Sequence, residues 1–195
     1  MKIARYNETN NLRFIGAAVS FPAVVKPKLN TADPKPENHF YEYTVDILIP
    51  KDTDMTDLEL VRKAVETDRW GDKVPEFRYQ PLKDGDKKFT RDGEPYEGYP
   101  GNWYLTAKSS EDNAPRVIDM AKNELDKPDA IVGGDIANIF VSVYAYGTAG
   151  NNGIGFGLTA IQLREKAEIP FGGGVSKKAA SDAFDEFNDL DDFSI

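Results

Sequence analysis

The chain has 195 residues, a length typical of one domain, and its shares of hydrophobic (40%) and charged (29%) residues are those of a soluble globular protein. It contains no cysteine and one histidine, His39, which excludes disulfides, thiolate metal sites and structural zinc. The net charge is −9, but six acids lie in residues 181–195, which contain no Lys or Arg; without those six the net charge is −3. The rest of the chain can therefore carry a basic groove on one face.

Composition also bears on location and catalysis. No apolar run approaches the ~18 residues that a membrane span needs, and residues 1–11 lack the apolar core of a signal peptide. We therefore expect a cytoplasmic protein without a membrane partner.

Any Ser-His-Asp triad would have to use His39, and no nucleophile-elbow motif accompanies it. The sequence predicts no catalytic residue, no metal and no cofactor. A metal-dependent nuclease is the enzymatic alternative, although no compact carboxylate motif lies outside the last fifteen residues.

Two strands are predicted in the first fifty residues. Residues 12–26 are apolar, β-branched and aromatic, and they predict a long strand that bends or bulges near Pro22. Residues 30–38 contain two prolines and predict a loop. Residues 40–49 alternate with period two, which predicts a strand. The residues expected to face the core are Tyr41, Tyr43, Val45, Ile47 and Ile49.

One helix has a clear signal. Thr56 and Glu59 have the spacing of a capping box, and an apolar stripe follows at Leu58, Val61 and Val65. The helix is expected to end near Asp68.

Residues 71–102, which we call the excursion, differ from the rest of the chain. They are rich in Gly, Pro, Lys, Asp and aromatic residues and show little periodicity. A segment this long without clear structure is usually either functional or disordered. The dipeptides Asp84-Gly85 and Asp92-Gly93 are turn signals, and they predict that the excursion is built from β-hairpins.

The second half of the chain is predicted to be β. Strands are expected at 103–108, 115–120, 136–146 and 155–164, with a hairpin loop at 147–153. Several antiparallel strands with a single helix predict a mainly β fold, a small closed barrel with an extended insertion. A β-sandwich is the alternative architecture.

Aromatic and basic residues interleave in and around the excursion. Bases of any sequence stack on aromatic rings, each stack contributing about 1–3 kcal/mol, while Lys and Arg follow the phosphates. Singly, each aromatic is better explained as a core residue or loop anchor. Phe140, Tyr144 and Tyr146 share one face of the strand at 136–146, and they could form a stacking platform or instead pack beneath the excursion. The candidate DNA-binding residues are Arg69, Trp70, Lys73, Phe77, Arg78, Tyr79, Lys83, Lys87, Lys88, Arg91, Tyr96, Tyr99, Trp103, Tyr104, Lys108, Tyr144 and Tyr146.

The acidic C-terminal tail is the other candidate site. An acidic run is usually a solvated, disordered terminus, but three phenylalanines among the acids indicate docking onto a partner. A polyanionic tail can also occupy a basic groove in place of DNA. The candidate partner-binding residues are Asp182, Phe184, Asp185, Glu186, Phe187, Asp189, Asp191, Asp192 and Phe193.

The C-terminal third carries a family resemblance. Residues 139–146 (IFVSVYAY) precede a Gly/Asn loop, and residues 153–163 (GIGFGLTAIQL) precede a Gly-rich linker and the acidic tail. This arrangement, with the PRVID stretch at 115–119, resembles a family of phage OB-fold single-stranded-DNA-binding proteins, formerly a phage domain-of-unknown-function family.

The resemblance implies an OB-like antiparallel barrel in residues 1–170, followed by a Gly-rich linker and an acidic tail in residues 171–195. It implies binding of single-stranded DNA without sequence preference in phage DNA replication and recombination, in the cytoplasm of an infected host cell and without catalysis. The tail is expected to recruit replication or recombination proteins and to weaken DNA binding until it is displaced. A homo-oligomer is compatible with the sequence. The alternative is a structural or virion-associated interaction protein that does not bind DNA.

Overall fold

The computed structural model describes residues 1–148 and 151–172, so the acidic tail lies outside the described residues. Two single-turn 3-10 helices lie at Pro36–Asn38 and Gly85–Lys87. Within the described ranges, no helix is long and apolar enough to cross a membrane. The other elements, in chain order, are β1 (Lys2–Arg5), β2 (Asn11–Asn30), β3 (Phe40–Pro50), α1 (Thr56–Trp70), β4 (Lys83–Asp84), β5 (Asn102–Ser110), β6 (Arg116–Ile118), β7 (Ile136–Thr148) and β8 (Asn151–Glu165).

Five strands close into a barrel. Neighbouring strands pair antiparallel in the order β5-β3-β2-β7-β8, and a parallel pairing of β5 with β8 closes the ring at Ala107–Phe156 and Lys108–Gly157. The short strands β1, β4 and β6 extend the ladder at β2, β5 and β8. Alternate residues of each strand fill the interior, among them Phe14, Ile47 and Leu105, all fully buried. The mainly β, OB-like barrel is confirmed, and the β-sandwich alternative is wrong.

Strand β2 is bent where the sequence predicted it. Its register shifts between Ser20 and Ala23, and Phe21 adopts a φ of 47° beside Pro22. Proline has no backbone N–H, so it interrupts the ladder at this point. The bend allows the first part of β2 to pair with β7 (Asn11–Ala18) and the second part with β3 (Ala18–Asn30). One long strand thus contributes to two sides of the barrel.

Strand β3 is buried on both faces. Tyr43, Val45, Ile47 and Ile49 face the core as expected, but Tyr41 is 46% exposed. That expectation was wrong because the pairing of β3 with β5 ends at Glu42, one residue short of Tyr41. The opposite face, with Glu42, Thr44, Asp46 and Leu48, is also buried.

Helix α1 packs Leu58, Val61 and Val65 into the core and contacts β1, β2 and β7. The stripe is confirmed, but the capping box is wrong. Thr56 is already helical, and the Asp54 carboxylate accepts hydrogen bonds from its backbone N–H (3.0 Å) and its hydroxyl (2.6 Å). The helix ends at Trp70, beyond the predicted Asp68, and Gly71 follows with a φ of 61°.

The excursion contains one of the two predicted hairpins. At Asp92-Gly93 the chain reverses with Gly93 at φ 85°, and Phe89 pairs with Pro95 across the turn. Asp84-Gly85 instead begins a 3-10 helix, in which the Asp84 side chain accepts a hydrogen bond from the Asp86 backbone N–H. The β7–β8 hairpin is longer than predicted, because pairing continues to Thr148 and Asn151.

Candidate nucleic-acid interface

A shallow groove crosses the outer face of β5, β8 and β7. It consists of two adjoining depressions that share Lys108 and Tyr144. Tyr79 and Lys83 of the excursion line one end, and Ser142 and Thr159 line the other. Seven of the candidate residues lie in or beside this groove: Arg78, Tyr79, Lys83, Tyr104, Lys108, Tyr144 and Tyr146.

The floor of the groove is a line of glycines on β8. Gly153, Gly155 and Gly157 lie directly opposite Tyr146, Tyr144 and Ser142 of β7. A Cβ added at Gly153 or Gly155 would collide with the ring of the opposite tyrosine, so these rings lie across the β8 backbone. Glycine is required at these positions because the tyrosine rings approach the backbone so closely.

Tyr144 and Tyr146 present a neutral aromatic surface. Their ring centroids are 6.4 Å apart with an interplanar angle of 52°, and Tyr144 is 48% exposed. Burial of the remainder of the ring, and secondarily the neighbouring Tyr146, raises the pKa of the Tyr144 phenol above its ordinary value. The phenol therefore stays uncharged at neutral pH and does not repel phosphate.

Lys83 and Lys108 supply positive charge at the groove. The Lys83 ammonium lies 5.5 Å from the centroid of the Tyr104 ring. The Lys108 ammonium is 3.0 Å from Glu42 Oε1, and its side chain is about half exposed. Glu42 also accepts a hydrogen bond from the Asn30 amide (3.0 Å), so this carboxylate holds Lys108 in place at the groove.

Lys88 and Tyr99, both candidate DNA contacts, do not line the groove but contact Tyr104 beside it. The Lys88 ammonium is 2.8 Å from Asp46 Oδ2 and 2.9 Å from the Tyr99 hydroxyl, which itself donates to Asp46 (2.6 Å). The rings of Tyr99 and Tyr104 lie 4.1 and 4.6 Å from the same ammonium. Burial and the Asp46 carboxylate both raise the pKa of Tyr99.

Thr106 also donates a hydrogen bond to Asp46 Oδ1 (2.6 Å). Together these contacts fix the excursion to β3 and β5, and we call the four residues Lys88, Asp46, Tyr99 and Thr106 the clamp. Tyr99 is fully buried and has no ring face for a base. The Tyr99 ring therefore packs in the protein interior and does not line the groove. The ammonium of Lys88 is likewise occupied by the clamp.

Other candidate residues lie at the end of α1. The rings of Trp70 and Phe77 contact each other with centroids 5.6 Å apart and an interplanar angle of 47°, and both pack against the core. The Arg69 guanidinium donates to the Gly147 carbonyl (3.3 Å), which joins the helix to the β7–β8 hairpin. Lys73 is exposed in the following turn.

The remaining candidates do not line the groove. Trp103 alternates with the outward-facing Tyr104, and its ring packs against the core with the Lys51 ammonium 5.0 Å from its centroid. Tyr96 contacts Phe21 edge to face at 5.3 Å, in a depression that shares no lining residue with the groove. Lys87 and Arg91 are exposed on the excursion.

With this geometry established, comparison with known proteins is informative. A family model described as "Enterobacter phage Enc34, ssDNA-binding protein" matches residues 11–194. The chain belongs to this family. It is also 32% identical over 156 residues to putative protein p50 of Acyrthosiphon pisum secondary endosymbiont phage 1, covering 77% of this chain and 80% of that protein.

This chain resembles two solved structures in fold. The single-stranded DNA-binding protein from bacteriophage Enc34, in complex with ssDNA, superposes with a TM-score of 0.67 at 20% identity, covering 88% of this chain and 98% of that one. The gp2.5 single-stranded DNA-binding protein of bacteriophage T7 gives a TM-score of 0.52 at 19% identity, covering 82% and 93%. These likenesses show a shared fold.

For this member of the Enc34 family, sequence reasoning missed the glycine floor. The signal was present as Gly153, Gly155 and Gly157 with period two, which places all three on one face of a strand. It also missed Gln80, Thr106 and Ser142, polar residues without charge that line the groove. Among the described residues, no group of three or more His, Asp or Glu side chains is arranged to hold a metal ion.

Proposed function

We propose that the chain binds single-stranded DNA without sequence preference in the groove over β5, β8 and β7, and that it acts in phage DNA replication and recombination by binding alone. The observation that carries the proposal is the pair Tyr144 and Tyr146, whose rings lie against Gly155 and Gly153 of β8. Family membership supports it, since the Enc34 protein of that family has been solved in complex with ssDNA.

The groove has the two components that binding of any sequence requires. The tyrosine rings offer faces on which a base of any type can stack, at about 1–3 kcal/mol per base. Lys83 and Lys108 lie close enough to contact phosphates on either side of the stacked bases. Because Glu42 neutralises part of the Lys108 charge, we expect affinity to depend on stacking more than on charge.

The test is fluorescence-anisotropy titration of the full-length protein with labelled oligo-dT and with a duplex of equal length at two salt concentrations. Each phosphate neutralised on a single strand contributes about −0.7 to the slope of log K against log salt. We expect salt-sensitive binding that favours the single strand. Absence of binding to either DNA at low salt, also after removal of the tail, would contradict the proposal and favour a structural role.

We also propose that the tail recruits replication or recombination proteins and competes with DNA for the groove. Its six acids oppose the charge of Lys83 and Lys108, and its three phenylalanines can occupy aromatic surfaces. Deletion of residues 176–195 should tighten DNA binding. A tail of equal length with its Asp and Glu changed to Asn and Gln is the matched control, and it should tighten binding similarly. Unchanged affinity in both variants would contradict autoinhibition while leaving DNA binding intact.

We propose that the barrel domain, expected to end at residue 170, also includes Phe171 and Gly172. The Phe171 ring packs over Gly98, Gly133 and Gly134, and its backbone N–H donates to the Gly133 carbonyl (2.9 Å). A barrel domain truncated after residue 170 would lose this contact. We therefore expect a fragment of residues 1–172 to be more stable to heat than one of residues 1–170.

A further inference from the structure

A second aromatic depression lies on the outer face of β2, β7 and β8, beyond the groove. Ile15, Phe140 and Ala160 form its apolar floor, and Tyr6, Arg13 and Lys122 stand around it. The Tyr6 and Phe140 rings meet edge to face with centroids 5.2 Å apart, and the Arg13 guanidinium lies 5.4 Å from the Tyr6 centroid. We call this site the Phe140 depression.

The Phe140 depression continues the groove along β7. Phe140, Ser142, Tyr144 and Tyr146 are successive outward residues of that strand, and Ser142 and Tyr144 already line the groove. The distance from Tyr146 to Phe140 along the strand is about 20 Å, at about 3.3 Å per residue. Strand β8 contributes to both sites, because Thr159 of the groove is adjacent in sequence to Ala160 of the depression.

The aromatic arrangement of the groove is repeated at the depression. Tyr146 and Tyr144 lie opposite glycines of β8, and Phe140 lies opposite Ala160, the next smallest side chain. On its other side Phe140 is directly opposite Arg13 of β2. A base can therefore stack on the Phe140 ring beside the small Ala160, while the Arg13 guanidinium binds the phosphate of that nucleotide.

The charges around the depression fit a polyanion. Its lining includes Arg13 and Lys122 and no Asp or Glu, and within the part of the chain that the structure describes neither cation forms an ion pair. The lining amides are occupied, since Asn138 donates to Gln162 Oε1 (2.9 Å) and Gln162 donates to the Asp119 carbonyl (3.1 Å). The depression therefore offers ring faces for stacking and positive charge for phosphates, but few free hydrogen-bonding groups that could distinguish one base from another.

We propose that the Phe140 depression is a second contact area for the same single strand of DNA, which leaves the groove along the outer face of β7. This inference rests on the proposed function. A base stacks on the Phe140 and Tyr6 rings, and Arg13 and Lys122 contact the flanking phosphates. Short oligonucleotides occupy the groove alone, and longer ones occupy both areas.

The test compares oligo-dT of about 5 and about 16 nucleotides, near the two ends of the range of site sizes known for OB folds. The variants are Phe140→Ala, Phe140→Leu, which keeps apolar volume without a stacking ring, and Arg13→Gln. Lys63→Gln, the same loss of charge on the exposed side of α1, is the matched control. Thermal unfolding of each variant checks the fold.

Phe140→Ala should weaken binding of the long oligonucleotide about fivefold to hundredfold, the equivalent of one lost stack, and change that of the short one less than about twofold. Phe140→Leu should act in the same direction. Arg13→Gln should reduce the salt slope for the long oligonucleotide by about 0.7, whereas Lys63→Gln should not.

Three results would overturn the inference. Equal losses for both lengths would mean that Phe140 acts through the fold of the barrel. Unchanged affinities in every variant, with normal binding of both oligonucleotides by the wild type, would overturn this inference alone. Failure of the proposed function gives a different result, because the wild type then binds neither oligonucleotide. If a peptide of residues 181–195 binds the tail-deleted protein and Phe140→Leu abolishes only that binding, the depression accepts the acidic tail instead.

Discussion

Substitution of Lys88 by Met tests whether this lysine holds the excursion to the barrel or contacts DNA. The change removes the ammonium that pairs with Asp46 at 2.8 Å while keeping most of the apolar length of the side chain. Asp46 is buried and retains two hydrogen bonds, from Tyr99 and Thr106. Loss of one partner of a buried ion pair costs about 3–5 kcal/mol, and the two remaining hydrogen bonds place this case near the lower end, at about 3 kcal/mol.

The assay is urea and thermal unfolding followed by tryptophan fluorescence, together with DNA titration of the same variant. For a domain of this size a loss of 3 kcal/mol lowers Tm by about 6–12 °C. In the double variant Asp46→Asn/Lys88→Met the combined loss should be smaller than the sum of the single losses, because the unpaired charge is gone. For Lys88→Met, the slope of log K for DNA binding against log salt should equal that of the wild type.

Lys83→Gln is the contrasting variant, because Lys83 lines the groove, is exposed, and forms no ion pair with any other described residue. It should lower the salt slope by about 0.7 with little change in the free energy of unfolding. If Lys88→Met behaved in this way instead, with an unchanged free energy of unfolding and a reduced salt slope, the clamp would be refuted and Lys88 would be a phosphate contact.

Three further predictions concern the tyrosines. Tyr144→Ala and Tyr146→Ala should each weaken oligo-dT binding by about 1–3 kcal/mol in anisotropy titrations, with Leu60→Ala on exposed helix surface as the control that leaves affinity unchanged. Gly155→Val should push the Tyr144 ring off β8 and lower both affinity and Tm; a variant with wild-type affinity would show that the ring position is irrelevant. Burial raises the pKa of Tyr99 above its ordinary value of about 10. The stabilising contribution of the protonated phenol is therefore complete below about pH 10 and is lost as the pH rises further. Between about pH 8 and pH 11, Tyr99→Phe should lose less unfolding free energy than the wild type does.

The strands and the helix were predictable because their signals are local. Period-two alternation identified β3 and β7, and Pro22 marked the bend in β2. Burial of both faces of β3 was not predictable, since the excursion that clamps to its outer face lies more than thirty residues further along the chain, as Asp46 and Lys88 show. Alternation predicts the face of a residue but not what covers it.

The candidate site was predictable in composition and only partly in position. Interleaved aromatic and basic residues indicated a nucleic-acid surface, yet the same residue types form the clamp of Lys88 and Tyr99. The excursion has no period, so the sequence carries no signal that separates its buried rings from its exposed ones. Phe140 was predicted as part of a possible stacking platform, but the depression around it was not, because Tyr6, Arg13 and Lys122 come from separate segments that only the barrel brings together.

The location of the DNA is tested most directly by ultraviolet crosslinking of oligo-dT to the full-length protein and to the form lacking residues 176–195, followed by mass spectrometry of the crosslinked peptides. We expect crosslinks at Tyr144 and Tyr146, stronger in the truncated form, and none at the buried Tyr99. Crosslinks confined to Tyr96 and Trp103, with Tyr144 and Tyr146 unmodified, would contradict it and place the strand outside the groove.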